Sequence, residues 1–96
     1  MRRVVLHWNG ASWQQAELPI ESTTLNEIRA DKVGGVWIGV NPDRGGSYVL
    51  NFRAGRWTRA ALPRGRVGRI APIPGTTGLL VLAQEGKDTF LIYELR

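Results

Sequence analysis

The feature that most narrows what this chain can become is that its sequence comes round again after about 44 residues. Val5-Leu6-His7-Trp8 corresponds to Val49-Leu50-Asn51-Phe52, Trp13 to Trp57, and Leu18-Pro19 to Leu62-Pro63. Further on the spacing slips by a residue or two, as loops of unequal length require. Ile28-Arg29-Ala30 then corresponds to Ile70-Ala71-Pro72, Gly35-Val36-Trp37-Ile38 to Gly78-Leu79-Leu80-Val81, and Tyr48-Val49-Leu50 to Phe90-Leu91-Ile92. A unit this short cannot bury its own apolar face, so copies of it must stack.

The unit reads as a set of short strands. Runs of about five residues rich in Val, Ile, Leu, Trp and Tyr alternate with Gly, Pro and Asn clusters. Residues 21–30 come nearest to a helix, with Leu25, Ile28 and a cap-like Ser22-Thr23-Thr24. Their counterpart, residues 64–73, carries Gly65, Gly68 and Pro72, which break helices. Equivalent segments should fold alike, so both are strands. Nine strands are expected, at 4–8, 13–16, 25–30, 36–40, 47–53, 57–60, 67–72, 79–83 and 89–95, with no helix longer than about two turns. Asn9-Gly10 and Ala54-Gly55 sit where tight hairpins need positive φ. Ninety-six residues make one domain.

The order Leu6-His7-Trp8-Asn9-Gly10-Ala11-Ser12-Trp13, then Leu18-Pro19, then Leu25 to Ala30, then Val36-Trp37-Ile38-Gly39 resembles one blade of a tryptophan-rich, kelch-like or galactose-oxidase-like β-propeller. The second copy departs from that pattern, with Phe52, Leu80 and Leu82 in place of the expected Trp, Trp and Gly. The resemblance implies an all-β fold of antiparallel propeller blades, about two per chain, at about 22–61 and 64–96, with 1–18 as a partial blade. Closed propellers need about four to eight blades, so it also implies a ring completed by self-association or by a longer parent chain. Trp13 and Trp57 are expected in equivalent, largely buried places, and Glu27 and Arg69 as a pair across neighbouring blades.

Charge is unevenly spread over the net +5. Residues 44–84 hold no acid and seven arginines, while the flanking stretches are each slightly acidic. In a propeller the loops bearing Arg44, Arg64 and Arg66 share one end. That makes them a candidate site for a carboxylate, phosphate or sulfate on an acidic partner. Arg53 and Arg56 fall at the opposite end, which argues against a continuous nucleic-acid track. Trp8 and Trp37 are the alternative candidates, stacking on sugar as in lectins assembled from short chains.

Catalytic constellations are not evident. The chain has no cysteine and one histidine, His7, so it offers no disulfide, no thiol nucleophile and no recognisable metal site. Ser12, Ser22 and Ser47 have no base in a matching position. Glu17, Glu21 and Asp43 read as loop solubilisers rather than a glycosidase pair. Gly34-Gly35 and Gly45-Gly46 lack the Lys-Ser/Thr of a phosphate loop. No cofactor and no membrane span are expected. The apolar run after Met1-Arg2-Arg3 stops at His7 without a cleavage site, so a cytoplasmic location is expected if the chain is complete. The expected function is a non-enzymatic ligand- or protein-binding scaffold, with a carbohydrate-binding lectin as the alternative.

Overall fold

A computed structural model describes residues 4–8, 10–17 and 23–96. Within them the chain is all-β and antiparallel, and all nine expected strands are present. They are β1 (Val4–Trp8), β2 (Trp13–Glu17), β3 (Thr23–Ala30), β4 (Gly35–Pro42), β5 (Tyr48–Arg53), β6 (Arg56–Ala61), β7 (Arg66–Pro72), β8 (Leu79–Glu85) and β9 (Thr89–Leu95). β1 and β2 form a hairpin, β3-β4-β5-β6 a four-stranded meander (sheet 1), and β7-β8-β9 a three-stranded one (sheet 2). The β5–β6 turn reverses in two residues, Ala54 and Gly55, both at positive φ, as a tight hairpin twisted with its strands requires.

Sheets 1 and 2 carry the same irregularity in the same place. Pairing skips a residue between Leu25 and Glu27 in sheet 1, and between Val67 and Arg69 in sheet 2. Counting from these bulges, Leu25 corresponds to Val67, Glu27 to Arg69 and Gly39 to Leu82. The same count corrects one sequence correspondence. Tyr48 pairs with Val40, and Leu91 with Ala83, so Tyr48 matches Leu91 rather than Phe90. A one-residue slip matters because it exchanges the two faces of a strand.

Sheet 2 lies on sheet 1 with β7 against β3 and β4. The core between them holds Trp37, Val49 and Leu62 from the sheet 1 side, and Val67, Ile70, Leu79, Val81 and Ala83 from sheet 2. Burial of each large aliphatic contributes about 1.5–3 kcal/mol. A second cluster, Ile38, Val40, Tyr48 and Leu50, occupies the other face of sheet 1, so β4 is buried on both sides. β8 is one-sided, with Leu79, Val81 and Ala83 inward and Leu80 and Leu82 outward.

Trp57 is half-buried, tilted against Phe52 at 4.8 Å beside the second cluster. Trp13 departs from expectation: it is 67% exposed and touches Trp8 at 5.6 Å. Its strand belongs to a two-stranded hairpin, whereas Trp57 sits on the fourth strand of a sheet whose neighbours supply the cover.

Close approach of the sheets depends on Gly39. A Cβ there would lie 2.7 Å from Cγ1 of Val67. Gly39→Ala is expected to cost about 1–3 kcal/mol by overpacking. Adding Val67→Ala should recover part of that loss, so the double variant is less destabilised than the sum of the two in urea unfolding. Strict additivity would show that β7 does not sit in the space that Gly39 leaves.

Candidate anion-binding cleft

β7 pairs in a ladder only with β8, which leaves its other edge to be satisfied from elsewhere. Sheet 1 does so with side chains. Asn41 Nδ2 donates to the Val67 carbonyl at 3.0 Å, and the Val67 N–H donates to Asn41 Oδ1 at 2.8 Å. The Ser47 hydroxyl donates to the same Oδ1 at 2.8 Å and fixes the amide's orientation. Asn26 Nδ2 donates to the Gly68 carbonyl at 2.8 Å, and the Ile70 N–H donates to Glu27 Oε1 at 2.7 Å. The Glu27 carboxyl is held below its ordinary pKa first by that Ile70 amide, then, against a burial penalty, by Arg29 and Arg69. The expected Glu27–Arg69 relation is thus a through-space attraction. The carboxylate's direct partners are the Ile70 amide and Arg29, whose Nε lies at 3.1 Å.

These contacts, with the Leu62 N–H donating to the Ser47 carbonyl at 2.9 Å, draw three loop regions to one end of the sheets. Between them is a cleft of about 330 Å³. Gly45, Gly46 and Ser47 line it from the β4–β5 loop, Leu62 to Arg66 from the β6–β7 connection, and Gln84, Glu85 and Gly86 from the β8–β9 turn.

Of the three candidate arginines, Arg64 and Arg66 line this one cleft. Arg44 is exposed next to Gly45 but is not among the lining residues. The arginines are not equivalent. Arg64 is paired with Glu85, its Nη2 at 2.7 Å and Nε at 3.0 Å from Oε1. That hydrogen bond raises the guanidinium's pKa above its ordinary value. Arg66 donates through Nη2 to the Pro42 carbonyl at 3.2 Å, a neutral partner that orients it, and is in no ion pair among the described residues. Sequence reading missed Glu85. The signal for it was the β8–β9 turn falling at the same end as the β6–β7 connection.

Trp37, named as an alternative sugar platform, goes to the core between the sheets. It is 8% exposed, which denies a ligand its ring face, and its Nε1 has no hydrogen-bond partner among the described residues. It borders a second cavity of about 210 Å³ with Thr58, Ala60, Thr77 and Leu95. Trp8 is 51% exposed. Glu21 and Ser22 and the side chains of His7 and Glu17 lie outside the described residues, so the Glu17, Glu21 and Asp43 grouping does too. Among the described residues no three His, Cys, Asp or Glu side chains are grouped to hold a metal ion, and no helix is long and apolar enough to cross a membrane. Compared with known protein families, curated proteins and solved structures, the chain matches none.

Arg53 belongs to the opposite end of sheet 1, as expected. It forms an ion pair with Asp31 and donates to the Val33 carbonyl at 3.0 Å. Asp31 also accepts from the Val33 and Gly35 amides at 3.0 and 2.7 Å. Burial alone would raise its pKa, but the Arg53 and amide hydrogen bonds outweigh it and the net shift is downward. A depressed carboxylate stabilises the fold above its unfolded pKa and loses that contribution as pH falls through the folded value. Thermal stability should therefore be flat above about pH 5 and fall below it. Asp31→Asn should cost about 1–3 kcal/mol at neutral pH and make the acid decline shallower. An acid profile identical to that of the unmodified protein would remove Asp31 from the explanation.

Proposed function

We propose that this chain is a non-enzymatic binding module whose two sheets are neighbouring blades of a β-propeller of the kelch-like kind. Copies of the chain, or the rest of a longer protein, would complete the ring. The meander order, the matching bulges and the contact of β7 with β3 and β4 support the stacking part of this reading. Glu27, Asp31, Glu85 and Glu94 each sit in an ion pair or a backbone clamp, which favours binding over acid–base chemistry.

The observation that carries the functional part is the cleft at the loop ends, where Arg66 lies beside glycine-rich backbone and makes no ion pair with a carboxylate among the described residues. Its ligand is an anionic group on a partner, a carboxylate or a sulfate, with Arg66 as the main contact. Arg44 supplies long-range attraction, and Arg64 is held in reserve by Glu85. A second reading, carbohydrate binding, is favoured by one observation: Trp8 and Trp13 present adjoining exposed indoles.

Calorimetric titration with sodium sulfate and with an Asp/Glu hexapeptide tests this. Arg44→Ala/Arg66→Ala should weaken binding at least about tenfold and reduce its salt dependence. Glu85→Gln, which releases Arg64, should tighten it. Affinity unaffected by the double substitution would discard the cleft. Glycan binding lost on Trp8→Ala would transfer the function to the hairpin.

A further inference from the structure

The way sheet 2 sits on sheet 1 defines two kinds of face. The receiving face is that of Trp37, Gly39 and Val49, onto which sheet 2 packs. The docking face is the one sheet 2 turns towards it, with Val81, Ala83, Leu91, Tyr93 and Leu95. Each sheet has one face of each kind. On the docking face of sheet 1, Ile38, Val40, Tyr48 and Leu50 are buried at 0–4% exposure, while Leu25 and Ile28 at its β3 edge are 40% and 61% exposed.

The receiving face of sheet 2 is open. Counted from the bulges, Leu80, Leu82 and Ile92 hold the places of Trp37, Gly39 and Val49. They are 39%, 38% and 75% exposed, and Phe90 beside them is 61% exposed. The hairpin has the complementary face. Trp8 pairs directly across from Trp13, as Phe52 does from Trp57, so Leu6, Trp8 and Trp13 form a docking-type surface. They are 58%, 51% and 67% exposed. Seven large apolar side chains left in water on two matching surfaces exceed what a stable monomer commonly presents.

The occupant is selected by what sheet 2 lacks. Sheet 1 receives β7 through the space at Gly39 and the clamps Asn26, Glu27 and Asn41. In sheet 2 those four places are Leu82, Gly68, Arg69 and Gln84. Leu82 fills the space, Gly68 has no side chain, and Arg69 cannot accept a backbone N–H as Glu27 does, so Gln84 alone keeps an amide like that of Asn41. An incoming inner strand such as β3 of another copy, with Leu25 in the place of Val67, would meet Leu82 and find no Glu27-like acceptor. A two-stranded element with no inner strand meets neither obstacle. We infer that the β1–β2 hairpin of a second copy docks, through Leu6, Trp8 and Trp13, on the outer face of β8 and β9, making a head-to-tail contact between copies. This rests on the stacking reading above but not on the anion cleft.

Analytical ultracentrifugation over a concentration series up to millimolar protein tests it, with circular dichroism to verify that each variant is folded. The unmodified chain should associate, with little dependence on salt. Trp13→Glu and Ile92→Glu, both on exposed positions, should each weaken association at least about thirtyfold. Because the contact is heterologous, mixing these two variants should restore a one-to-one pair, built from the intact hairpin of Ile92→Glu and the intact sheet 2 of Trp13→Glu. Ile28→Glu, on exposed β3, should leave association unchanged. Association that survives Trp13→Glu but is lost with Ile28→Glu would overturn the hairpin as occupant while keeping the stacking of copies. A mixture that stays monomeric, or an unmodified chain monomeric at every concentration, would overturn the contact altogether.

Discussion

One side-chain amide takes the place of a missing strand. Asn41 donates to and accepts from the backbone of Val67 as a neighbouring strand would, and Ser47 holds it in that orientation. Glu27 and Asn26 repeat the device on Ile70 and Gly68. β7 is an edge strand, and edges need their polar groups covered. With side chains from the next sheet doing so, the pairing of the two sheets is directional as well as hydrophobic. The apolar core between them would tolerate sliding, whereas hydrogen bonds to named backbone groups do not.

That anchor also explains where the cleft lies. Ser47 orients Asn41 through its hydroxyl and holds the Leu62 amide through its carbonyl, so the β4–β5 loop and the β6–β7 connection cannot part without disturbing the sheet interface. Arg64 and Arg66 follow directly on Leu62 and Pro63 and are carried into the cleft by this tether. Tyr93 adds a further tie, its hydroxyl donating to the Arg64 carbonyl at 2.9 Å. The loops that carry charge are thereby built on rigid strands. Sheet 2 keeps the device only in part, because Gly68 and Arg69 stand where Asn26 and Glu27 stood, and Gln84 alone retains an amide in the place of Asn41. The outer face of sheet 2 presents chiefly apolar side chains, Leu80, Leu82, Phe90 and Ile92.

Much of this was legible in the sequence because it follows from local rules. Strand positions came from apolar runs bounded by Gly, Pro and Asn, and the separation of Arg53 from the Arg64 and Arg66 end came from strand alternation alone. What was not legible depends on which face of a strand meets which neighbour. Leu79 to Ala83 is apolar throughout, so nothing in the run says that Leu80 and Leu82 point outward. Trp37, the alternative ligand platform, is buried, and Trp13, expected in the core, is exposed, because burial is set by the sheet that covers a residue rather than by its type. Glu85 was hidden for the same reason: its pairing with Arg64 crosses 21 residues and two strands.

Amide hydrogen exchange of Val67 and Ile70 probes the central interaction most directly. If Asn41 and Glu27 cap the open edge of β7, both amides should exchange as slowly as those of the buried β8 core, and Glu27→Ala should release Ile70 while leaving Val67 protected. Exchange of both amides at the rate of an unprotected strand edge would contradict the capping and the directional pairing of the sheets that depends on it.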